Sequence, residues 1–204
     1  MRTQNNNRKL IFRIFAIILL FSLANIYEVE GTDEEFVSID MPLYFVPSGW
    51  MGDGEYGRKY IDFNGAYGQD SHTPPTSIKI NYTFGPKRWA GIYWQNRPDN
   101  WGDQPGYNYS KREYKKITFW AKGATGREVV EFKAGGIMSP GKEYIDSFEV
   151  STGRVFLEKE WKQYSMVLEQ KDLSSVIGGF CWLSSVDYND HHSITFYLDD
   201  ICFE

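Results

Sequence analysis

The chain has 204 residues, enough for one domain and short for two, and its formal net charge is −5. An acidic protein repels phosphate backbones, which argues against nucleic acid as a partner. It contains two cysteines and three histidines, and the sequence has neither the HxH nor the HExxH spacing of zinc sites.

Residues 1–31 differ in composition from the rest of the chain. Four basic residues precede an apolar run at 14–24, and small residues follow at the spacing that signal peptidase cleaves. The run is 11 residues long, whereas a membrane span needs roughly 20. We therefore predict a cleaved signal peptide, with a retained N-terminal anchor as the alternative and membrane contact expected only in that case. Either form places residues 32–204 outside the cytoplasm: secreted, periplasmic or on the cell surface.

The predicted mature region, residues 32–204, is rich in short segments that favour β-strands. These segments are TSIKINYTF, WAGIYWQ, KKITFWAKG, EVVEFKAGGI, DSFEVST, RVFLE, KQYSMVLE, GGFCWLSS and SITFYLDDICFE. They alternate apolar and polar residues, and Gly, Pro, Asn and Asp separate them. No stretch of ten residues has convincing helical periodicity. The pattern predicts one all-β domain, a two-sheet antiparallel sandwich or barrel. Residues 41–76 are rich in Gly and Pro, which predicts a long ordered loop.

Residues 88–110 combine three Trp and three Tyr with many hydrogen-bonding groups. A pyranose ring stacks its C–H face on aromatic rings, and its hydroxyls bond to amides, acids and cations. Strand alternation predicts an outward row of such side chains, and Trp101 lies in a loop, where surface exposure is expected. The stacking candidates are Tyr93, Trp94, Trp101 and Trp120. The candidate hydroxyl partners are Gln95, Arg97, Asn100, Asp103 and Glu131.

Other interpretations compete with a sugar-binding face. Many of the aromatic rings are expected simply to fill the core, and Trp and Tyr also favour protein interfaces, so an extracytoplasmic interaction domain is an alternative. An enzyme is a third class. A glycoside hydrolase would use two carboxylates from the set Asp53, Glu55, Asp62, Asp99, Asp103 and Glu131. A polysaccharide lyase would use Tyr93, Lys133 and Arg97.

Two features of the C-terminal strands suggest further sites. Asp199 and Asp200 lie side by side in an apolar strand, and a buried carboxylate needs a partner. Bound Ca²⁺ would supply one, and backbone amides are the alternative. Cys181 and Cys202 lie in strand-like runs that could be neighbours, so a disulfide is open.

Residues 78–204 resemble the galactose-binding-like jelly-roll group of carbohydrate-binding modules. The segments that carry the resemblance are KITFWAKG, EWKQYSMVLE, GGFCWLSS and the closing ITFYLDDICFE. The resemblance implies a jelly-roll sandwich and non-catalytic binding of a polysaccharide or other glycan. It also implies a structural calcium at Asp199, with Asp40 as the N-terminal partner. We expect the protein to be a monomer.

Overall fold

The computed structural model describes residues 44–204 and the backbone of the short strand at 39–40. The predicted signal peptide and the side chain of Asp40 lie outside the described residues. Two short 3₁₀ segments occur, at Asp53–Lys59 and Val186–Tyr188. The strands are β1 (Ile39–Asp40), β2 (Val46–Gly52), β3 (Ile61–Tyr67), β4 (Ser77–Tyr82), β5 (Trp89–Gln95), β6 (Lys116–Gly123), β7 (Val129–Gly135), β8 (Glu149–Phe156), β9 (Lys162–Val167), β10 (Gly178–Ser185) and β11 (Ile194–Phe203).

The strands form two antiparallel sheets. Sheet I has the order β3-β4-β11-β6-β9, with β1 also paired to β11, and sheet II has the order β2-β5-β10-β7-β8. The predicted two-sheet antiparallel sandwich is therefore confirmed. Strands β5 and β10 coincide with the predicted segments WAGIYWQ and GGFCWLSS, and the two segments DSFEVST and RVFLE join into β8.

Alternating side chains from both sheets fill the core. Phe119 of β6 meets Phe132 of β7 and Phe180 of β10, with ring centroids 4.6 and 5.0 Å apart. All three rings are fully buried. Burying one such ring contributes roughly 1.5–3 kcal/mol, so this aromatic layer is a main source of stability.

Trp94 belongs to this core, so its prediction as a sugar-stacking residue is wrong. It is 1% exposed and packs edge-on against Phe180 at 5.5 Å. Ala90, Ile92 and Trp94 alternate along β5 and all three are buried between the sheets. The alternation was predicted correctly, but Trp94 lies on the inward side of the strand.

Residues 41–76 are not one long loop, because they include β2, the first 3₁₀ segment and β3. The glycines serve the turns: Gly52 has φ 62°, and a Cβ there would lie 2.3 Å from the carbonyl oxygen of Trp89. Asp53 is fully buried and accepts hydrogen bonds from the Tyr82 hydroxyl (2.7 Å) and from the amides of Gly85 (2.9 Å) and Lys87 (2.7 Å). These bonds tie the segment to sheet I. Because the Asp53 carboxylate is buried and hydrogen-bonded, it is not available to contact a ligand from solvent.

The two cysteines lie in different sheets. Cys181 is on β10 of sheet II, opposite Tyr93 and Lys133, whereas Cys202 is on β11 of sheet I, opposite Thr118. The expectation that their strands could be neighbours is therefore wrong. Within the described part of the chain, no helix is long and apolar enough to cross a membrane.

Candidate functional site

A cleft of about 390 Å³ lies on the outer face of sheet II, and we call it the tryptophan cleft. Its walls carry two tryptophans, apolar side chains and a single cation. The lining includes Met51, Trp89, Tyr93, Trp101, Lys133, Ile137, Met138, Pro140 and Leu183. Strands β2, β5, β10 and β7 supply the floor, so the site is built on adjacent, hydrogen-bonded strands.

One wall is the loop at 96–106, which carries Trp101. Asn100 is 3% exposed, and its side-chain amide donates to Asn96 Oδ1 and to the Gln104 carbonyl, both at 2.9 Å. Its Oδ1 accepts from the amides of Gly102 and Gln104, both at 3.1 Å. The fully buried Gln95 donates from Nε2 to the Asn100 carbonyl at 2.8 Å. Gln95 and Asn100 therefore hold the loop in place, and their prediction as hydroxyl partners is wrong.

Trp101 packs against the floor of the cleft. Its ring meets that of Tyr93 edge-on, with centroids 6.0 Å apart and planes at 87°. Tyr93 is 6% exposed, and its hydroxyl donates to the Gly135 carbonyl at 3.0 Å. Burial raises the pKa of the Tyr93 phenol far above its ordinary value. Tyr93 thus supports Trp101 from below, while Trp101 itself is half-buried and keeps part of its surface at the cleft.

The opposite wall, at 136–146, is held by a buried acid. The Asp146 carboxylate accepts hydrogen bonds from the amides of Ile137 (2.8 Å), Ile177 (2.5 Å) and Gly178 (3.2 Å). Burial outweighs these bonds and raises the pKa of Asp146 to about 6. Because Ile137 begins the wall and Ile177 precedes β10, this one carboxylate fixes the wall to the floor.

The two walls also contact each other directly. Lys142 Nζ lies 2.5 Å from Asp103 Oδ1, and the Tyr144 amide donates to the Gly102 carbonyl at 3.1 Å. Asp103, one of the predicted hydroxyl partners, is therefore placed at the cleft rim but already pairs with a lysine. The side chains in this ion pair are more than one-third exposed, so the pair contributes little to stability.

Polar groups border the apolar floor on β7 and β8. Glu131 accepts a hydrogen bond from Ser151 Oγ at 2.7 Å, and Lys133 pairs with Glu149. Arg97 is exposed, and no described residue forms an ion pair with it. Glu131 and Arg97 remain candidates for contacting a ligand near the cleft.

Trp89 was not selected from the sequence, although it lines the cleft. It is 40% exposed, the most exposed of the seven tryptophans, all of which are described. Its position at the start of β5, on the same face as Tyr93, was a usable signal. Strand alternation by itself would therefore have placed Trp89 on the outward face with Tyr93.

Trp120 lies on the other sheet and does not join this cleft. It is on β6 of sheet I, and the His72 ring stacks on it with centroids 3.7 Å apart and planes at 13°. Its prediction as part of the same sugar-binding row is wrong, because β6 and β7 belong to different sheets. The ring face that would receive a sugar is occupied by His72.

The acid pair on β11 bonds to the segment that covers Trp120. Asp199 Oδ2 accepts the amides of His72 (2.8 Å) and Thr73 (3.0 Å), and its Oδ1 accepts the Asp200 amide (3.0 Å). Asp200 Oδ2 bonds to His72 Nδ1 and to Thr73 Oγ1, both at 2.7 Å. Desolvation raises the pKa of Asp199.

The hydrogen bonds of Asp199 are to backbone amides, the alternative to calcium that the sequence left open. Both oxygens of Asp199 accept N–H groups, and the described residues contain no group of three or more His, Cys, Asp or Glu side chains placed to hold a metal. The backbone of Asp40 pairs with Cys202 in β1, but its side chain is outside the described part. Calcium at Asp199 and Asp40 stays a prediction.

Comparison with known proteins shows that the fold is similar to that of solved carbohydrate-binding modules. No protein-family profile and no curated protein matches the chain. Among solved structures, a family 30 carbohydrate-binding module matches 82% of this chain and 98% of its own, with TM-score 0.54 and 16% identity. A family 11 module from Clostridium thermocellum, solved with a β-1,3-1,4-mixed-linked tetrasaccharide, matches 81% of this chain and 93% of its own, with TM-score 0.54 and 13% identity.

A second structure of a family 11 module, from a cellulosomal cellulase of the same organism, matches 82% of this chain and 92% of its own. Its TM-score is 0.53 and its identity is 13%. At these identities the similarity establishes the fold. The chain has the jelly-roll sandwich of these carbohydrate-binding modules, as the sequence resemblance implied.

Proposed function

We propose that the protein is an extracytoplasmic, non-catalytic carbohydrate-binding module whose ligand lies in the tryptophan cleft. The observation that carries the proposal is the pair of accessible indoles at one cleft, Trp89 on strand β5 and Trp101 on the loop that forms one wall. Trp89 and Tyr93 stand at the same face of β5 four residues apart, which separates them by about 13 Å. A face of that length accommodates more than one sugar ring.

The composition of the cleft favours an uncharged glycan. Its one cation, Lys133, is neutralised by Glu149, and the rest of the lining near it is apolar. A sulfated or uronate chain would need several unpaired cations to offset its repeated charges, and Arg97, which is outside the cleft lining, is a single one. Neutral sugars instead stack on Trp89 and Trp101 and bond through their hydroxyls to groups such as Glu131 and Arg97.

The same geometry gives little support to an enzyme. A lyase would need Tyr93 as a proton acceptor, yet its hydroxyl is buried and donates to the Gly135 carbonyl. Lys133 is held by Glu149, and the buried Asp53 is fully hydrogen-bonded within the protein. These contacts leave Tyr93, Lys133 and Asp53 in structural roles, which favours binding without catalysis.

A glycan-array screen of the full chain tests the proposal, with the mixed-linked β-1,3-1,4 tetrasaccharide included among the neutral probes. We expect binding to a neutral glycan class and its loss in Trp101→Ala. The matched control is Trp120→Ala, which removes the same side chain from sheet I and should leave binding intact. Silence of the folded protein across the array would reject the proposal and favour the protein-interaction alternative.

A further inference from the structure

A second and larger cleft, of about 860 Å³, lies at one end of the sandwich. We call it the end cleft. It is bounded by the β6–β7 connection at 124–128, by the β10–β11 connection at 188–193, and by Phe156 at the end of β8. Its volume is within the range of small-molecule sites, and none of its lining residues belongs to the tryptophan cleft.

Both connections are held in place by buried polar side chains. The Glu128 carboxylate accepts the amides of Thr125 (2.8 Å) and Gly126 (3.0 Å), and it is 4% exposed. Asn189, 8% exposed, accepts the Val129 amide at 2.8 Å and donates to Ser184 Oγ at 2.9 Å. The cleft walls are therefore preorganised, which lowers the entropy cost of binding a ligand between them.

An aromatic ring is presented at this cleft without packing against the core. Phe156 is 74% exposed, the highest value among the large apolar side chains of the described residues. Tyr188 also lines the cleft, and the Arg154 guanidinium lies over its ring at 3.8 Å from the centroid. That contact fixes Tyr188 from one side. The end cleft thus offers one mostly exposed ring, Phe156, and one oriented ring, Tyr188.

The remaining lining includes three side chains that carry charge, Arg127, Asp190 and Glu128, and the Glu128 carboxylate already accepts backbone amides. Arg127 and Asp190 are both exposed and of opposite sign, and Ser193 adds a hydroxyl. In the described part of the chain, neither charged side chain forms an ion pair. They are free to bond to a ligand, and because the lining holds two carboxylates and one guanidinium, it disfavours an anionic ligand and suits a neutral one.

We propose that the end cleft is a second binding site for a neutral glycan. A sugar ring stacks its C–H face on Phe156, and Arg127 and Asp190 bond to the hydroxyls of that sugar and its neighbour. The inference shares the ligand class of the proposed function but concerns different residues. Two sites on one domain raise the affinity for a long polysaccharide more than for a short oligosaccharide, because the second contact is intramolecular.

Affinity electrophoresis of the full chain tests the inference, with soluble β-1,3-1,4-glucan, xylan and galactomannan as separate probes. The variants are Phe156→Ala, Arg127→Ala and Trp101→Ala. The control is Val167→Ala, which removes a side chain that is 61% exposed on β9, away from both clefts. We expect Phe156→Ala and Arg127→Ala each to weaken polysaccharide binding about threefold or more, with Val167→Ala unchanged.

The pattern of losses separates this inference from the proposed function. Loss in Trp101→Ala with no change in Phe156→Ala overturns the end cleft and leaves the tryptophan cleft standing. Loss of polysaccharide binding in Phe156→Ala with no change in Trp101→Ala overturns the tryptophan cleft and supports the end cleft. Failure of the folded wild-type protein to bind any of the three polysaccharides overturns both. Because Phe156 is mostly exposed, its variant is expected to fold, and an unchanged Tm verifies this.

Discussion

Trp101 meets Tyr93 edge-on, with ring centroids 6.0 Å apart and planes at 87°. The contact joins a loop residue to a strand residue and turns part of the Trp101 indole towards the tryptophan cleft. Tyr93 is in turn fixed by the Gly135 carbonyl. The exposed aromatic surface therefore has a rigid support, which is the arrangement that stacking against a sugar requires.

Trp101→Ala should weaken glycan binding about tenfold or more, because it removes one of the two accessible indoles of the cleft. The edge-on packing of Trp101 on Tyr93 predicts a modest loss of stability in this variant, about 1 kcal/mol. Titration calorimetry with the best array ligand, together with thermal unfolding, measures both quantities. Binding equal to wild type would remove Trp101 from the site.

Trp89→Ala should separate binding from stability more cleanly. The side chain is 40% exposed at the start of β5, so its loss should change the free energy of unfolding by less than about 1 kcal/mol. Glycan affinity should fall by about as much as in Trp101→Ala. An affinity unchanged in Trp89→Ala but lost in Trp101→Ala would confine the ligand to the end of the cleft near the 96–106 loop.

Asp146 should make stability depend on pH. In the folded state the pKa of Asp146 is about 6, above the ordinary value of 3.8. The folded state therefore binds the carboxyl proton of Asp146 more tightly than the unfolded state does. The contribution of Asp146 to stability is therefore fully present below about pH 4 and is lost as pH rises through about 6, a change of roughly 2–3 kcal/mol.

The measurement is the free energy of unfolding between pH 4 and 7.5 in wild type and in Asp146→Asn. Asparagine does not titrate, so the difference between the two proteins isolates Asp146 from other acids. That difference should change most between pH 4 and 6 and be flat above pH 7. A difference that is flat throughout would mean that the three amide bonds cancel the effect of burial.

The strands were readable from the sequence, whereas their inward faces and the site were only partly so. Segments such as WAGIYWQ are rich in aromatic and branched residues, which predicts a strand. Strand geometry then divides the side chains into two sets that face opposite ways. Alternation does not say which face is the core, and for Trp94 that choice decided the outcome. The local sequence pattern also does not show to which sheet a strand belongs. The sequence therefore could not show that Trp120 and Glu131 lie on different sheets.

The amide-rich loop at 96–106 shows a second limit. Gln95 and Asn100 suit hydroxyl recognition by chemistry, but both are buried in bonds to the loop backbone. Side-chain type indicates hydrogen-bonding capacity and not the partner that uses it. Trp101 was found because a loop without strand pattern is expected at the surface.

His72→Ala should loosen the segment that covers sheet I without affecting glycan binding. The variant removes the ring stacked on Trp120 and the bond to Asp200. Hydrogen exchange of the Thr73 amide, which donates to Asp199, should accelerate, while the affinity for the array ligand stays at the wild-type value. A loss of affinity in His72→Ala would point to sheet I as a binding face.

Asp199→Asn distinguishes amide bonding from calcium. With amides as the partners, the variant lowers Tm by the same amount with and without a chelator, because no metal is involved. A calcium ion held by the folded state would instead make the wild-type Tm fall on chelation. That fall, if abolished in Asp199→Asn, would support the metal site and require a ligand beyond the described residues.

Amide chemical-shift mapping of the ¹⁵N-labelled protein during titration with the best array ligand tests the central claim most directly. The account predicts that the largest perturbations fall at the tryptophan cleft, on Met51, Leu183 and Met138, and on the indole N–H groups of Trp89 and Trp101. Trp120 and the His72 segment of sheet I should be unperturbed. Perturbations centred on Trp120, with the tryptophan cleft unchanged, would contradict the account.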